Sequence, residues 1–138
     1  MSQINKQLNV KAELAELDTV ISFLEETLEQ AECPMKLITQ ISISVEEIFV
    51  NIANYAYSDQ GGDCKLDMSV ENQIMTLCIT DSGAPFNPLA KEDPDITLSA
   101  EERAIGGLGI LMVKQSMDHV EYCYEEKQNK LTLVKSWE

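Results

Sequence analysis

Positive charge is scarce in this chain. Ten Lys and Arg residues stand against 24 Asp and Glu, a formal charge of -14, and Arg103 is the one arginine. Binding that neutralises the phosphates of a duplex needs clustered basic side chains, so nucleic acid is not expected as a direct partner. Long apolar runs are missing too. No stretch reaches the roughly 18 consecutive apolar residues of a membrane span, and the N-terminus lacks the basic-then-apolar pattern of an export signal. A cytoplasmic protein that avoids membranes is expected. A single histidine, His119, and the scattered Cys33, Cys64, Cys78 and Cys123, with no C-x-x-C pair, argue against a soft-metal site and for structural thiols.

What is present suffices for one packed domain spanning residues 1–138, since 44% of the chain is hydrophobic. Residues 7–12 alternate as a half-buried strand. From about Leu14 to Glu32, the apolar residues Leu14, Leu17, Ile21, Leu24 and Leu28 recur at helical spacing. A second helix is expected from Pro34, at its first position, to Ala56, stopped by the Ser58 to Gly62 segment. Residues 65–70 and 74–80 read as a hairpin turning at 71–73. Residues 109–117 read as a third helix, and strands are expected at 120–124 and 131–135. The order implies an α+β, two-layer α/β sandwich with helices on one face of a mainly antiparallel sheet. The stretch from Asp81 to Ile105 holds three of the four prolines and no periodicity, which suits a functional lid.

Ile38, Ile41, Val45, Ile48, Phe49, Ile52 and Ala56 share the core side of the second helix at 100° per residue. Ser44, Glu47, Asn51, Asn54 and Ser58 are expected on a separate polar stripe, with Glu47 and Asn51 one turn apart and able to converge on one ligand. Taken alone, such a stripe is simply a solvated helix face. The glycines are more telling, because four of the six fall in two places. Gly106-Gly107-Leu108-Gly109 precedes an apolar helix, where backbone amides and a helix N-terminus make an anion site. Asp81-Ser82-Gly83-Ala84-Pro85-Phe86 ends a strand, where an acid can accept a hydrogen bond and glycine lets a flat ligand approach the backbone.

An E-x-x-x-N helix, a strand followed by D-x-G-x-P-F, a long loop and G-G-x-G before a helix form, in that order, a composite far more specific than its parts. The sequence resembles the histidine-kinase-like (GHKL) ATPases, and within them the anti-sigma-factor serine/threonine kinases. Residues 44–57 look like the family's N box, 81–88 its first glycine box and 106–122 its second.

The resemblance implies the Bergerat fold, a mixed sheet with three helices on one face, and ATP and Mg²⁺ as ligands. It implies Glu47 as general base, Asn51 as Mg²⁺ ligand, Asp81 as acceptor from the adenine amine and Gly83 as the point of close base approach. Asn54, Pro85 and Phe86 would line the site, and Gly106, Gly107, Leu108 and Gly109 would wrap the phosphates. Glu46 also offers a carboxylate, but the four-residue spacing to Asn51 selects Glu47. Arg103, three residues before the glycines, is a candidate phosphate contact in an otherwise repulsive acidic chain, with Lys91 a weaker one. The implied function is phosphorylation of an anti-sigma-factor antagonist combined with sequestration of a sigma factor, by a protein that could form a homodimer. The alternative is a regulator that binds ATP to choose its protein partner and transfers no phosphate.

Overall fold

The computed structural model describes residues 3–56, 62–85 and 113–137. Polarity alternates along five of its segments, and these form five strands: β1 (Ile4–Lys11), β2 (Asp63–Glu71), β3 (Ile74–Asp81), β4 (His119–Glu125) and β5 (Gln128–Ser136). They hydrogen-bond in the order β1-β2-β3-β5-β4, and every described pairing is antiparallel. The period of two sends Leu66, Met68, Leu77, Ile79, Leu131 and Leu133 into the core and leaves Gln7 and Asp67 on the outer face. There Gln7 Nε2 donates to Asp67 Oδ1 at 2.7 Å.

Both hairpins turn on two residues. Asn72 and Gln73 have φ of 52° and 63°, and Glu126 and Lys127 have 54° and 62°. Two consecutive left-handed residues make a type I′ turn, whose twist matches that of the flanking strands. Each strand therefore runs longer than its apolar pattern suggests.

The helical layer covers the apolar face. Helix α1 (Leu17–Gln30) follows a 3-10 turn at Leu14–Glu16 and buries Val20, Leu24, Thr27 and Leu28. Thr27 tolerates burial because its hydroxyl donates to the Phe23 carbonyl at 2.8 Å. Leu14, expected in the buried stripe, is 54% exposed. It lies off the α-helical screw, because the α-helix starts only at Leu17.

The end of α1 is built without glycine. Cys33 N–H reaches the Leu28 carbonyl and Glu32 N–H the Glu29 carbonyl, both at 3.0 Å, while Glu32 sits at φ 60°. This is a Schellman stop, with Cys33 and Leu28 both buried beside it.

Pro34 caps α2 (Met35–Asn51) in extended backbone, one residue before the first helical position where it was expected. Helix α2 packs Ile38, Ile41, Val45, Ile48 and Phe49 against α1 and the sheet in one continuous core. Truncating Leu24 or Leu77 there to Ala would cost about 2–5 kcal/mol. After Asn51 the helix widens into a π turn, Ile52–Ala56. Of the expected third helix, 113–116 form a helical turn closed by Met117 N–H to the Val113 carbonyl at 3.1 Å, and 109–112 lie outside the described residues. The result is an α+β two-layer sandwich. None of the described helices is long and apolar enough to cross a membrane.

Candidate functional site

Strand pairing assembles the site at one end of the sheet. Val10, Cys64, Asp81 and Asn129 are successive partners across β1, β2, β3 and β5, so they form one row on the core side. Asp81 is only 6% exposed and Asn129 5%. A carboxylate this buried needs donors, and among the described residues it has two. Gly83 N–H and Asn129 Nδ2 each donate to Asp81 Oδ1 at 2.9 Å. Both described hydrogen bonds thus fall on one oxygen. Gly83 is buried immediately after the strand, where a Cβ would fill space beside the carboxylate.

Asn129 does more than hold Asp81. Its Nδ2 also donates to the Ala84 carbonyl at 2.9 Å and lies 3.4 Å from that of Gly83, tethering the segment after β3 to β5. Its Oδ1 accepts from the Tyr122 hydroxyl of β4. The sequence reading named neither Asn129 nor Tyr122. One signal was available: stepping back by two from Leu133 and Leu131 puts an amide, at 129, on the apolar face.

Cys64, the neighbour of Asp81 in the row, is fully buried. Burial first, and the Asp81 carboxylate second, push its thiol up to about 12. Both effects disfavour a thiolate, so this sulfur is inert near neutral pH. Burial likewise raises Cys33. All four cysteines are free thiols.

On α2, Glu47 and Asn51 are half-buried, one turn apart, and Glu46 is exposed. No hydrogen bond or ion pair with a described residue ties down the side chain of Glu47 or Asn51. Ser44, expected on the same polar stripe, is instead fully buried, and its hydroxyl has no partner among the described residues. Its position explains this: three residues after Ile41 and four before Ile48, it falls on the core side. Asn54 lies in the π turn and is exposed. Pro85 follows the tethered Ala84 and is exposed. Ser58, Phe86, Lys91, Arg103, Gly106, Gly107, Leu108 and Gly109 lie outside the described residues.

Residues 10–135 match the family of the histidine kinase-like ATPase domain. The chain belongs to this family. Among curated proteins it is similar to the serine-protein kinase RsbW of Listeria monocytogenes, 24% identical over 129 residues, which are 90% of this chain and 81% of that protein. It is also similar to RsbW of Bacillus cereus, 25% identical over 93 residues, 64% of this chain and 58% of that one. Among solved structures, the crystal structure of the RsbU and RsbW domains of a Mycobacterium tuberculosis protein matches with a TM-score of 0.63 at 14% identity. That match covers 95% of this chain and 32% of the other, so the chain spans about a third of the solved protein. The fold is shared with that RsbW-containing structure.

A histidine kinase-like ATPase domain implies ATP as its ligand, and the described residues fit such a ligand. Asp81 offers an acceptor at a strand end, beside a glycine whose missing side chain leaves room for a flat base. Asn51 offers a neutral oxygen, which suits a hard ion that keeps waters and takes other ligands from phosphates.

Proposed function

We propose that this chain is an ATP- and Mg²⁺-dependent protein serine/threonine kinase of the anti-sigma-factor type, a single ATP-binding domain working in the cytoplasm. Its substrate would be an anti-sigma-factor antagonist protein, and its second partner a sigma factor. The observation that carries the reading is the Asp81 carboxylate, held through one oxygen by Gly83 and Asn129, within a chain whose family match spans 10–135. Similarity to proteins named serine-protein kinase RsbW supports the kinase assignment.

Asp81 would accept from the adenine amine through Oδ2. Guanine presents a carbonyl at that place, so GTP would set one acceptor against another, a loss of about 1–3 kcal/mol. Asn51 would contribute the protein's ligand to Mg²⁺, which supplies neutralisation of the phosphate charge. Glu47 would accept the proton of a Ser or Thr hydroxyl as its oxygen bonds to the γ-phosphorus and the bond to ADP breaks. Arg103 and the glycines at 106, 107 and 109 would hold the phosphates.

The test is phosphotransfer from labelled ATP and Mg²⁺ to a candidate antagonist, comparing the protein with Glu47→Ala. Transfer by the first and not the second is expected. ATP binding without transfer by either would replace the kinase with the regulator that only binds nucleotide. No thermal shift with ATP would overturn the nucleotide reading itself, because ligand at about 100 times its dissociation constant adds about 2.7 kcal/mol of stability.

A further inference from the structure

We propose that Asn129, oriented by Tyr122, is the positioning residue that makes the Asp81 carboxylate selective for adenine. The proposal rests on the nucleotide reading above and adds Asn129, which lies outside the three boxes named above, together with a role for Tyr122.

An amide side chain can present either its oxygen or its nitrogen, and only one presentation suits Asp81. The Asp81 carboxylate and the Ala84 carbonyl only accept, which turns Nδ2 towards β3 and leaves Oδ1 on the β4 side, where the Tyr122 hydroxyl donates to it and holds the amide in place. Both N–H groups of Nδ2 are then used, one on Asp81 Oδ1 and one on the Ala84 carbonyl, each at 2.9 Å. Two consequences follow at the same spot. The carboxylate is pinned through Oδ1, which presents Oδ2 as the oxygen available to a ligand. The Gly83 and Ala84 backbone is held against β5, which fixes the wall beside that oxygen.

Discrimination between nucleobases depends on an acceptor held where the adenine amine arrives and where a carbonyl cannot be met by rotation. Without Asn129, the Gly83 N–H alone would hold the carboxylate, which could then swing away from the place where the amine arrives, and away from a carbonyl put there instead. Asn129 is 5% exposed and bonded to Asp81, so it acts through that carboxylate.

The experiment measures ATP and ITP affinity by calorimetry for the full chain, Asn129→Ala and Tyr122→Phe, with folding checked by circular dichroism. ITP carries a carbonyl in place of the adenine amine, so the ATP to ITP ratio reads the Asp81 contact. We expect Asn129→Ala to lower the ratio about tenfold (about 1.4 kcal/mol), by weakening ATP while ITP stays constant. Tyr122→Phe, which removes one hydroxyl and keeps the ring, is expected to lower it less. A general structural role would weaken both nucleotides alike and leave the ratio unchanged, which would overturn the proposal, as would an unchanged ratio in Tyr122→Phe should Asn129→Ala not fold. If the unaltered protein binds neither nucleotide, the nucleotide reading fails first. Binding of ATP by the unaltered protein with an unchanged ratio in the variants would sink this inference alone.

Discussion

Asn129 Nδ2 and Asp81 Oδ1 meet at 2.9 Å across the β3 to β5 ladder, joining residues 48 positions apart in the chain. The bond is buried and one partner is a carboxylate, which places it among the stronger hydrogen bonds of the fold.

Asp81→Asn replaces the acceptor with an amide that can turn a donor towards Asn129 Nδ2. We expect stability to fall by about 1–3 kcal/mol, measured by denaturant titration, and ATP affinity to fall at least tenfold by calorimetry. Retention of full ATP affinity would remove Asp81 from the base contact.

Glu47→Gln keeps size and polarity but cannot take a proton. Single-turnover transfer to an antagonist should slow by about 10²–10⁴-fold while ATP affinity changes little. Because Glu46 is exposed and Glu47 half-buried, Glu46→Gln should stay close to the unaltered rate. The reverse ranking would move the base by one residue.

Glu32 occupies a left-handed position at φ 60° without being glycine. Glu32→Gly should raise stability by up to about 1 kcal/mol, because relief of the Cβ clash exceeds the entropy that glycine adds to the unfolded chain. Thermal unfolding would detect an increase of several degrees. A decrease would mean that the Schellman stop is not strained at Glu32.

Cys64 supplies a pH dependence. Its folded pKa, about 12, lies above the ordinary thiol value, so the folded protein holds this proton more tightly. Stability from this group is complete below the ordinary thiol pKa and is lost as pH rises from there towards 12, at up to about 1.4 kcal/mol per unit. Urea titrations between pH 8 and 10.5 should show Cys64→Ala losing less stability over that range than the unaltered protein. Equal slopes would mean that the thiol is not held protonated.

The fold was readable where period and composition agree. The α2 core positions Ile38, Ile41, Val45, Ile48 and Phe49 recur at helical spacing, and all are buried. The first hairpin was visible from alternation. Its mate was less so, since Glu126-Lys127 lacks the Asn-Gly or Asp-Gly signature of a type I′ turn, and propensity alone does not place both residues at positive φ. Ser44 was misplaced because a small hydroxyl reads as polar, although its angular position puts it in the core. Asp81 and Gly83 could be singled out because they are local to one strand end. Asn129 shows in the sequence only as an amide in step with Leu131 and Leu133, and what it does there with Tyr122 arises from register between β3, β5 and β4, a property of pairing over long sequence separations.

Strand β5 is the last of the five to be synthesised, yet it lies inside the sheet, between β3 and β4. A nascent chain that has emerged only as far as β4 holds Asp81 without its amide partner and Ala84 without its tether. The hydrogen bonding around Asp81 is therefore completed only when residues 128–136 slot between strands already made. Any ligand gripped there would act as a clasp on that final insertion, slowing the peeling away of the C-terminal hairpin.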